Sequence, residues 1–482
     1  MTLREQVVSG TKWITVATII TSIIQLLRLS ILTRFLEKSD FGIVAIITLI
    51  LGLTYTFTDL GFSSAIMHKQ GLTRREFSSL FWIQLITFSL LYFVLSLCSP
   101  WIAQFYNEPS ISQLIPIALL DLVLQGIGRL YDTILQKEML FKQIALRNIV
   151  SSFISLIISF ILAYLGYGIY SLILSTLSQS VILNSWNFVG GQKKYQILLW
   201  LNLKQSIPLM KVGMYQTGTQ ILDYLASKID IAIMGKLLGT EDLGIYNLAK
   251  EFLYRIIVLI NTIVNKISLP IFAKYQNDKE LLKKYYIMIL TILSTLNFPI
   301  LTLIAVLSPS IITILYGENF IEAAPILSIF TLWGVSIVIS NPQGGLSIAT
   351  GNTHLSFKYT IVRILVTIPI VYFTANISSE AMAWGISFLG CIIMWIGWKI
   401  QISPIISLSF KEYYNSFKSN LYMGIIAIII MLLITYNFFN EANLIIKTLA
   451  YSLSFIFIYA ILFLTIGKRE LYNIINLVLQ KE

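Results

Sequence analysis

The residues that could do chemistry in this chain are charged side chains set inside long apolar stretches. A charge within a membrane is costly and usually faces a polar cavity or an opposite charge. Six basic residues of this kind could hold an anion such as a phosphate, which arginine is well suited to bind: Arg28, Arg129, Lys228, Lys250, Arg255 and Arg363. Six acidic residues could pair with these cations, carry a coupling proton or act in gating: Asp59, Asp121, Asp132, Asp223, Asp230 and Glu251.

In four of the apolar stretches the polar residues recur every three or four positions, so that each set shares one face of a helix. The first, fourth, seventh and eighth stretches carry these sets: Thr18, Thr21, Gln25 and Arg28; Asp121, Gln125, Arg129 and Asp132; Gln216, Gln220, Asp223, Ser227 and Asp230; Asn247, Glu251 and Tyr254. A polar stripe on a membrane helix faces protein or water, not lipid. We therefore predict a polar cavity lined by these four helices, although structural ion pairs would explain any single residue equally well. The third, fifth, sixth, ninth, tenth and twelfth stretches carry essentially no charge and are predicted to face lipid.

The composition restricts the class of protein to which these residues belong. Of 482 residues, 56% are hydrophobic and only 12% are charged, against about 25% charged residues in an average soluble domain. This excludes a water-soluble enzyme, a nucleic-acid-binding protein and a disordered chain. The net charge of +11 indicates an excess of lysine and arginine in cytoplasmic loops, as is usual in membrane proteins.

The two cysteines lie in apolar stretches and predict neither a disulfide framework nor a metal site. The sequence has no Gly-x-x-x-x-Gly-Lys-Ser/Thr loop, so ATP hydrolysis is not expected.

Apolar stretches of membrane-spanning length recur along the whole chain, since a helix needs about 20 residues to cross a bilayer. We place fourteen of them, at about residues 12–33, 42–66, 80–103, 114–136, 148–165, 168–189, 207–235, 243–268, 287–307, 321–349, 359–375, 380–399, 421–438 and 445–466. Alternate connections hold nearly all of the loop lysines and arginines, and the opposite connections hold only Arg34, Lys38 and Lys236. The positive-inside rule therefore predicts a multi-pass protein with both termini in the cytoplasm.

An internal repeat organises the first twelve stretches. Residues 34–44, Arg-Phe-Leu-Glu-Lys-Ser-Asp-Phe-Gly-Ile-Val, are similar to residues 236–246, Lys-Leu-Leu-Gly-Thr-Glu-Asp-Leu-Gly-Ile-Tyr, and two further matches follow in order. Because six is even, two six-helix copies enter the membrane from the same side and form parallel repeats. We predict an N-lobe of residues 1–204 and a C-lobe of residues 205–402 around a central cavity, with two extra helices and a cytoplasmic tail in residues 403–482.

Two such bundles suit alternating access, in which one bundle rocks against the other around a central site. The first two matching segments are 202 residues apart, and the same offset makes Asp230 the equivalent of Arg28 in the second repeat. We predict that these two residues pair near the outer end of the cleft and help to close it. A channel or a purely structural membrane protein remains open as an alternative.

Four segments carry a resemblance to a known family: Ser39-Asp-Phe-Gly-Ile43, Asp59-Leu-Gly-Phe-Ser-Ser-Ala65, Leu135-Gln-Lys-Glu-Met-Leu-Phe-Lys-Gln-Ile-Ala145 and Leu165-Gly-Tyr-Gly-Ile-Tyr170. Together with the paired repeats and two extra helices, they resemble the multidrug/oligosaccharidyl-lipid/polysaccharide exporter superfamily. Within it, the details are similar to the bacterial O-antigen and exopolysaccharide lipid flippases. The resemblance covers about residues 1–400, and the last two helices match in number alone.

The resemblance implies that the chain moves an undecaprenyl-pyrophosphate-linked oligosaccharide from the inner to the outer leaflet of the bacterial cytoplasmic membrane, driven by an ion gradient. It implies no catalytic residue and no cofactor. The implied partners are the lipid-linked oligosaccharide, membrane lipid and polysaccharide polymerase or chain-length proteins, and no nucleic acid. Related lipid II flippases rely on intramembrane arginines, which implies that role for Arg28 and Arg255.

Two alternatives to the flippase remain. One is a drug or cation antiporter of the same fold. Such a protein would bind cationic substrates and rely on a carboxylate, but the first stretch carries Arg28 where that carboxylate is expected. The other is a polytopic glycosyltransferase or polymer ligase, which would usually need a large outer loop, whereas the longest predicted outer loop is short.

Overall fold

The computed structural model describes residues 3–58, 62–68, 71–193, 195–435, 443–465 and 467, and these residues form helices and connecting turns without a strand. Fourteen long helices correspond one to one with the predicted stretches. They are α1 (Leu3–Leu32), α2 (Lys38–Thr58), α3 (Arg74–Tyr106), α4 (Ser110–Lys137), α5 (Phe141–Tyr164), α6 (Tyr170–Gln192), α7 (Leu203–Leu237), α8 (Gly239–Lys274), α9 (Lys279–Tyr316), α10 (Ala323–Ala349), α11 (Thr353–Ala375), α12 (Ser379–Gly397), α13 (Lys418–Thr435) and α14 (Leu444–Thr465). The predicted all-α class with about fourteen helices is confirmed.

Short helical segments lie between the long helices. A seven-residue helix, Phe62–His68, follows α2, and a 3₁₀ turn, Glu318–Phe320, follows α9. A π-helical segment, Trp398–Ile402, extends α12, and two short helices, Ser403–Ile406 and Phe410–Asn415, lead to α13. The sequence predicts none of them, because each is too short to show a hydropathy period.

Twelve of the helical spans in the described residues are long and apolar enough to cross a membrane. They correspond to α1–α5 and α8–α14. The other two long helices, α6 and α7, carry many amide, hydroxyl or charged side chains, which lowers their hydropathy.

Several helices extend beyond the apolar stretch that predicts them, because capping residues rather than hydropathy set their ends. Helix α3 begins after Thr73, whose side chain accepts a hydrogen bond from the backbone N–H of Glu76, while the Glu76 carboxylate accepts one from the backbone N–H of Thr73. This reciprocal capping box satisfies free donors of the first turn. The same helix ends at Asn107, which adopts a left-handed conformation with φ 56°, a common way to terminate a helix.

The described chain divides into two compact units, residues 1–247 and residues 248–482, and the division falls within α8. In the first unit, α1 packs on α5, α3 on α4, α4 and α5 on α6, and α7 on α2, on α3 and on the short helix Phe62–His68. In the second unit, α9 packs on α10, α10 and α11 on α12, and α13 on α9 and α14.

The same neighbour relations occur in both units. Helices α3 to α6 pack on one another in the pattern that α9 to α12 repeat six helices later. This supports the internal repeat, while the predicted lobe boundaries at residues 204 and 402 stay a prediction.

One aromatic cluster of the first unit fixes the short helix Phe62–His68 and α3 against α4. Phe62, Phe77 and Tyr131 are almost fully buried in it. The rings of Phe77 and Tyr131 are 5.1 Å apart, and the Tyr131 hydroxyl donates to the carbonyl of Tyr195, 2.9 Å away. Because Tyr131 lies between Arg129 and Asp132, this cluster holds the polar face of α4 in place.

Candidate functional site

A polar cavity of about 590 Å³ lies inside the first unit, among the short helix Phe62–His68, α4 and α6. Its volume falls in the range of known small-molecule sites. The described lining is formed by Ser63, Met67, Asp121, Gln125, Arg129, Asp132, Thr133, Gln136, Thr176, Gln179, Ser180, Leu183, Asn184 and Asn187. Three of the predicted site residues, Asp121, Arg129 and Asp132, are thus brought together here.

Asp121 occupies one part of the cavity wall and is buried. Its carboxylate accepts a hydrogen bond from the amide of Gln125, at 2.9 Å, and another from the hydroxyl of Tyr55 on α2. Gln125 is one helical turn from Asp121, so α4 itself supplies one of the two donors. These neutral donors hold the carboxylate in one orientation toward the cavity.

Asp132, which is half-buried, forms an ion pair with the buried Arg147 of α5. The Nη2 atom of Arg147 is 2.7 Å from Oδ1 of Asp132, and its Nη1 atom donates to the side-chain carbonyl of Asn187 on α6. Gln136 donates to the other carboxylate oxygen at 2.9 Å. Arg147 therefore joins α4, α5 and α6 at one point.

Arg147 is not among the predicted site residues, because its position between the fourth and fifth apolar stretches predicts a place in the connecting loop. The structure places it inside α5, with a side chain that is only 3% exposed. A signal was present, since Arg147 and Arg363 occupy equivalent positions in one of the repeat matches.

Helix α6 also differs from its prediction. It carries no charge within the span and is predicted to face lipid, yet it supplies six of the cavity residues, Thr176, Gln179, Ser180, Leu183, Asn184 and Asn187. Their spacing of three to four positions places them on one face of the helix. A search for charge overlooks this face because its amides and hydroxyls are neutral.

The cavity is rich in neutral hydrogen-bonding groups. Amide or hydroxyl side chains line it at nine positions: Ser63, Gln125, Thr133, Gln136, Thr176, Gln179, Ser180, Asn184 and Asn187. The charged groups at or behind its wall balance, with Asp121 and Asp132 against Arg129 and Arg147. The arrangement is suited to a ligand that carries many hydroxyl groups.

The polar stripe of α1 faces α5 rather than this cavity. Thr18 and Thr21 line a small cavity of about 100 Å³ together with Asn148. Arg28, further along the same stripe, donates from Nη1 to the hydroxyl of Ser155 at 3.1 Å.

Of the predicted residues on α7, Asp230 is buried and accepts a hydrogen bond from the hydroxyl of Tyr246 at 2.7 Å, while Asp223 and Lys228 are half-buried. The pairing of Arg28 with Asp230 stays a prediction. Asp59 lies outside the described residues.

The first pair of repeat segments meet in a close reciprocal contact. A Cβ atom placed on Gly42 would overlap the backbone carbonyl of Thr240, and one placed on Gly244 would overlap the backbone carbonyl of Lys38. The offset of 202 residues that relates Gly42 to Gly244 also relates Lys38 to Thr240. The first turns of α2 and α8 therefore meet through equivalent residues, and only glycine allows the backbones to come this close.

In the second unit, basic and aromatic side chains gather around α8. Arg255 Nη2 lies 3.8 Å from Oε2 of Glu251, one turn away. The ammonium of Lys250, which is buried, lies 5.2 Å from the centre of the Trp333 ring on α10, and Tyr254 stacks on the same ring at 6.4 Å. Three of the predicted site residues, Lys250, Glu251 and Arg255, therefore lie in one cluster.

The remaining basic candidate, Arg363 on α11, is half-buried and lies 5.9 Å from the ring centre of Tyr359. Among the described residues, no three histidine, cysteine or carboxylate side chains are grouped so that they could hold a metal ion. The two cysteines, Cys98 and Cys391, are free thiols.

Comparison with known proteins identifies the family. The polysaccharide biosynthesis protein family matches residues 31–325. The teichuronic acid biosynthesis protein TuaB of Bacillus subtilis is 27% identical over 436 residues, which cover 88% of this chain and 89% of that protein. The lipopolysaccharide biosynthesis protein WzxC of Escherichia coli is 24% identical over 431 residues, covering 89% and 88%.

The fold has solved relatives. The lipid II flippase MurJ, in an inward closed conformation, superposes with a TM-score of 0.74 at 17% identity and covers 93% of this chain and 98% of its own. The resemblance to the polysaccharide branch of the multidrug/oligosaccharidyl-lipid/polysaccharide exporter superfamily is confirmed. The chain belongs to the polysaccharide biosynthesis protein family.

Proposed function

We propose that this protein is a flippase for an undecaprenyl-pyrophosphate-linked oligosaccharide, the repeat unit of an O-antigen, capsule or exopolysaccharide. It moves the unit from the inner to the outer leaflet of the cytoplasmic membrane by alternating access, coupled to an ion gradient. The observation that carries the proposal is the neutral, amide-lined cavity of the first unit in a member of a polysaccharide biosynthesis family.

The cavity suits the sugar part of such a substrate. A carbohydrate presents hydroxyl groups that both donate and accept, and asparagine and glutamine side chains do the same. A cavity lined by nine such groups can replace the water that the sugar loses on leaving the cytoplasm, so that its polar groups are not left unpaired. The charges of Asp121, Asp132, Arg129 and Arg147 balance, so the cavity carries no net charge that would favour an ion over a neutral glycan.

The pyrophosphate requires cations, and we assign it to the basic residues outside this cavity. Arg255 and Lys250 carry the positive charges of the α8 cluster, and Arg28 carries that of α1. A guanidinium can bind phosphate through two parallel hydrogen bonds. The polyprenyl tail is as apolar as the lipid and stays in the membrane while the glycan crosses.

Alternating access requires that the outer end of the pathway opens and closes. The contact between the first turns of α2 and α8, through Gly42 and Gly244, is the point that must separate when the outer end opens.

We assign ion coupling to Asp121, because it is a buried carboxylate in the cavity wall. Both termini lie in the cytoplasm, and polymerase or chain-length proteins use the unit after transfer.

A strain that lacks the gene tests the function directly. We expect lipid-linked oligosaccharide to accumulate on the inner leaflet, where a glycan-specific lectin labels it only after the cells are lysed, together with loss of surface polysaccharide. A drug antiporter would instead give hypersensitivity to cationic drugs with normal surface polysaccharide, and that result would overturn the proposal.

Replacement of single arginines tests the proposed pyrophosphate contacts. We expect Arg28→Ala and Arg255→Ala each to lower export by about ten- to a hundredfold at normal abundance, since a hydrogen bond to a charged group contributes about 1.5–3 kcal/mol. The measurement is surface polysaccharide in the deletion strain complemented by each variant. Arg74, exposed at the start of α3, offers a matched control, because Arg74→Ala removes the same charge outside the proposed site. Unimpaired export in both test variants would refute these contacts.

A further inference from the structure

A second cavity, of about 440 Å³, lies in the unit of residues 248–482, between the N-terminal end of α11 and the C-terminal end of α12. Its walls are mainly apolar and include Leu355 and Val362 of α11 and Ile396 of α12. Two lysines also line it, Lys358 on α11 and Lys399 in the π-helical segment that extends α12. The lining of the cavity is therefore mainly apolar, with two basic side chains.

The two lysines give this cavity a positive charge. Both are exposed, and the ammonium of Lys399 lies 5.0 Å from the centre of the Trp395 ring, in a cation–π contact. The described residues that line the cavity include no carboxylate.

An exposed apolar stripe leads away from the cavity along α12. It consists of Trp384, Phe388, Ile392 and Trp395, which are spaced three or four positions apart and are between 42% and 61% exposed. The stripe ends at Lys399, one turn beyond Trp395. Tryptophan and lysine at the end of a membrane helix mark the level of the lipid headgroups, so the cavity opens at the boundary between headgroups and acyl chains.

We propose that this cavity binds the phosphate headgroup of an anionic phospholipid, such as phosphatidylglycerol, with an acyl chain lying along the α12 stripe. A basic pocket between membrane helices is suited to an anionic headgroup. A soluble phosphate ion would satisfy the two lysines but would leave the apolar walls and the stripe uncovered. The lipid belongs to the leaflet that the distribution of lysines and arginines assigns to the cytoplasmic side.

Native mass spectrometry of the purified full chain, titrated with phosphatidylglycerol in detergent, tests this proposal without depending on transport. We expect the double variant Lys358→Ala/Lys399→Ala to bind the first phosphatidylglycerol about thirtyfold more weakly than the parent. This fold-change follows from about 1 kcal/mol per lysine at 1.4 kcal/mol per factor of ten. The matched control is Lys279→Ala/Lys284→Ala, which removes two exposed lysines of α9 on the same side and should bind as the parent does.

A second variant tests the cavity apart from its charge. Val362→Trp keeps both lysines but fills part of the volume, and it should also weaken phosphatidylglycerol binding while the protein elutes as a folded monodisperse species. The proposal is overturned if the parent binds phosphatidylcholine as tightly as phosphatidylglycerol, or if the lysine double variant binds like the parent. Displacement of phosphatidylglycerol by millimolar inorganic phosphate alone would also overturn it, because a free anion would then be the ligand.

Discussion

Gly42→Leu and Gly244→Leu are each expected to reduce polysaccharide export to a small fraction of the parent's. The leucine side chain would have to occupy the space of a backbone carbonyl, that of Thr240 in the first case and of Lys38 in the second. Forcing an extra side chain into a packed contact costs about 1–3 kcal/mol. A shift of that size changes the equilibrium between closed and open outer ends by a factor of roughly 5 to 150.

The measurement is surface polysaccharide in the complemented deletion strain, normalised to the amount of protein in the membrane. Gly190, near the end of α6, provides the control, because a Cβ placed there meets nothing within 4 Å, and Gly190→Leu should export normally. Alanine at Gly42 should give a smaller loss than leucine. Parental export by both leucine variants at equal abundance would show that the contact is dispensable.

Arg147→Ala is expected to destabilise the first unit strongly. The guanidinium is buried, and its loss removes the cationic partner of the Asp132 carboxylate, which keeps only the Gln136 amide as a donor, and the donor to the Asn187 carbonyl. Removing one partner of a buried ion pair costs about 3–5 kcal/mol. We expect the lower end of that range, because the Asp132 side chain is 26% exposed and water can solvate part of its charge. A lowered midpoint of thermal unfolding in detergent would report this loss.

A double variant separates the unpaired charge from the loss of packing. Asp132→Leu/Arg147→Met removes both charges and should recover part of the lost stability, since no charge is left without its partner. Lys38→Ala is a useful comparison: it breaks an ion pair of 3.7 Å with Glu241, a residue that is 69% exposed, and exposed pairs contribute under about 1 kcal/mol. If the double variant were no more stable than Arg147→Ala, the ion pair would not explain the effect.

Hydropathy predicts the number and order of the fourteen helices because lipid demands long runs of apolar residues. It predicts their ends less well. Helix α1 begins at Leu3 rather than near residue 12, and α3 begins at Arg74 rather than near residue 80. A helix continues through the polar headgroup region, where capping groups such as Thr73 decide where it begins, and hydropathy reports only the hydrocarbon part.

The cavity was predictable only in part, for a related reason. Charged residues stand out in an apolar sequence, so Asp121, Arg129 and Asp132 could be singled out and placed on one face of α4. The α6 side of the same cavity consists of neutral amides and hydroxyls, which occur in membrane helices for many structural reasons. The hydropathy pattern places Arg147 in a loop, because the sequence alone does not show that α5 begins six residues before it.

The chemistry of the cavity lining has a consequence for selectivity. The amides and hydroxyls of the wall can both donate and accept hydrogen bonds, so the wall can pair with hydroxyls in different positions. Binding to a site of this kind depends more on the number of hydroxyl groups in the glycan than on their arrangement. We therefore expect the protein to tolerate sugar epimers and to reject glycans whose hydroxyls are replaced by apolar groups. Discrimination between cell-surface polymers would then fall to the enzymes that build the repeat unit before it reaches the membrane carrier.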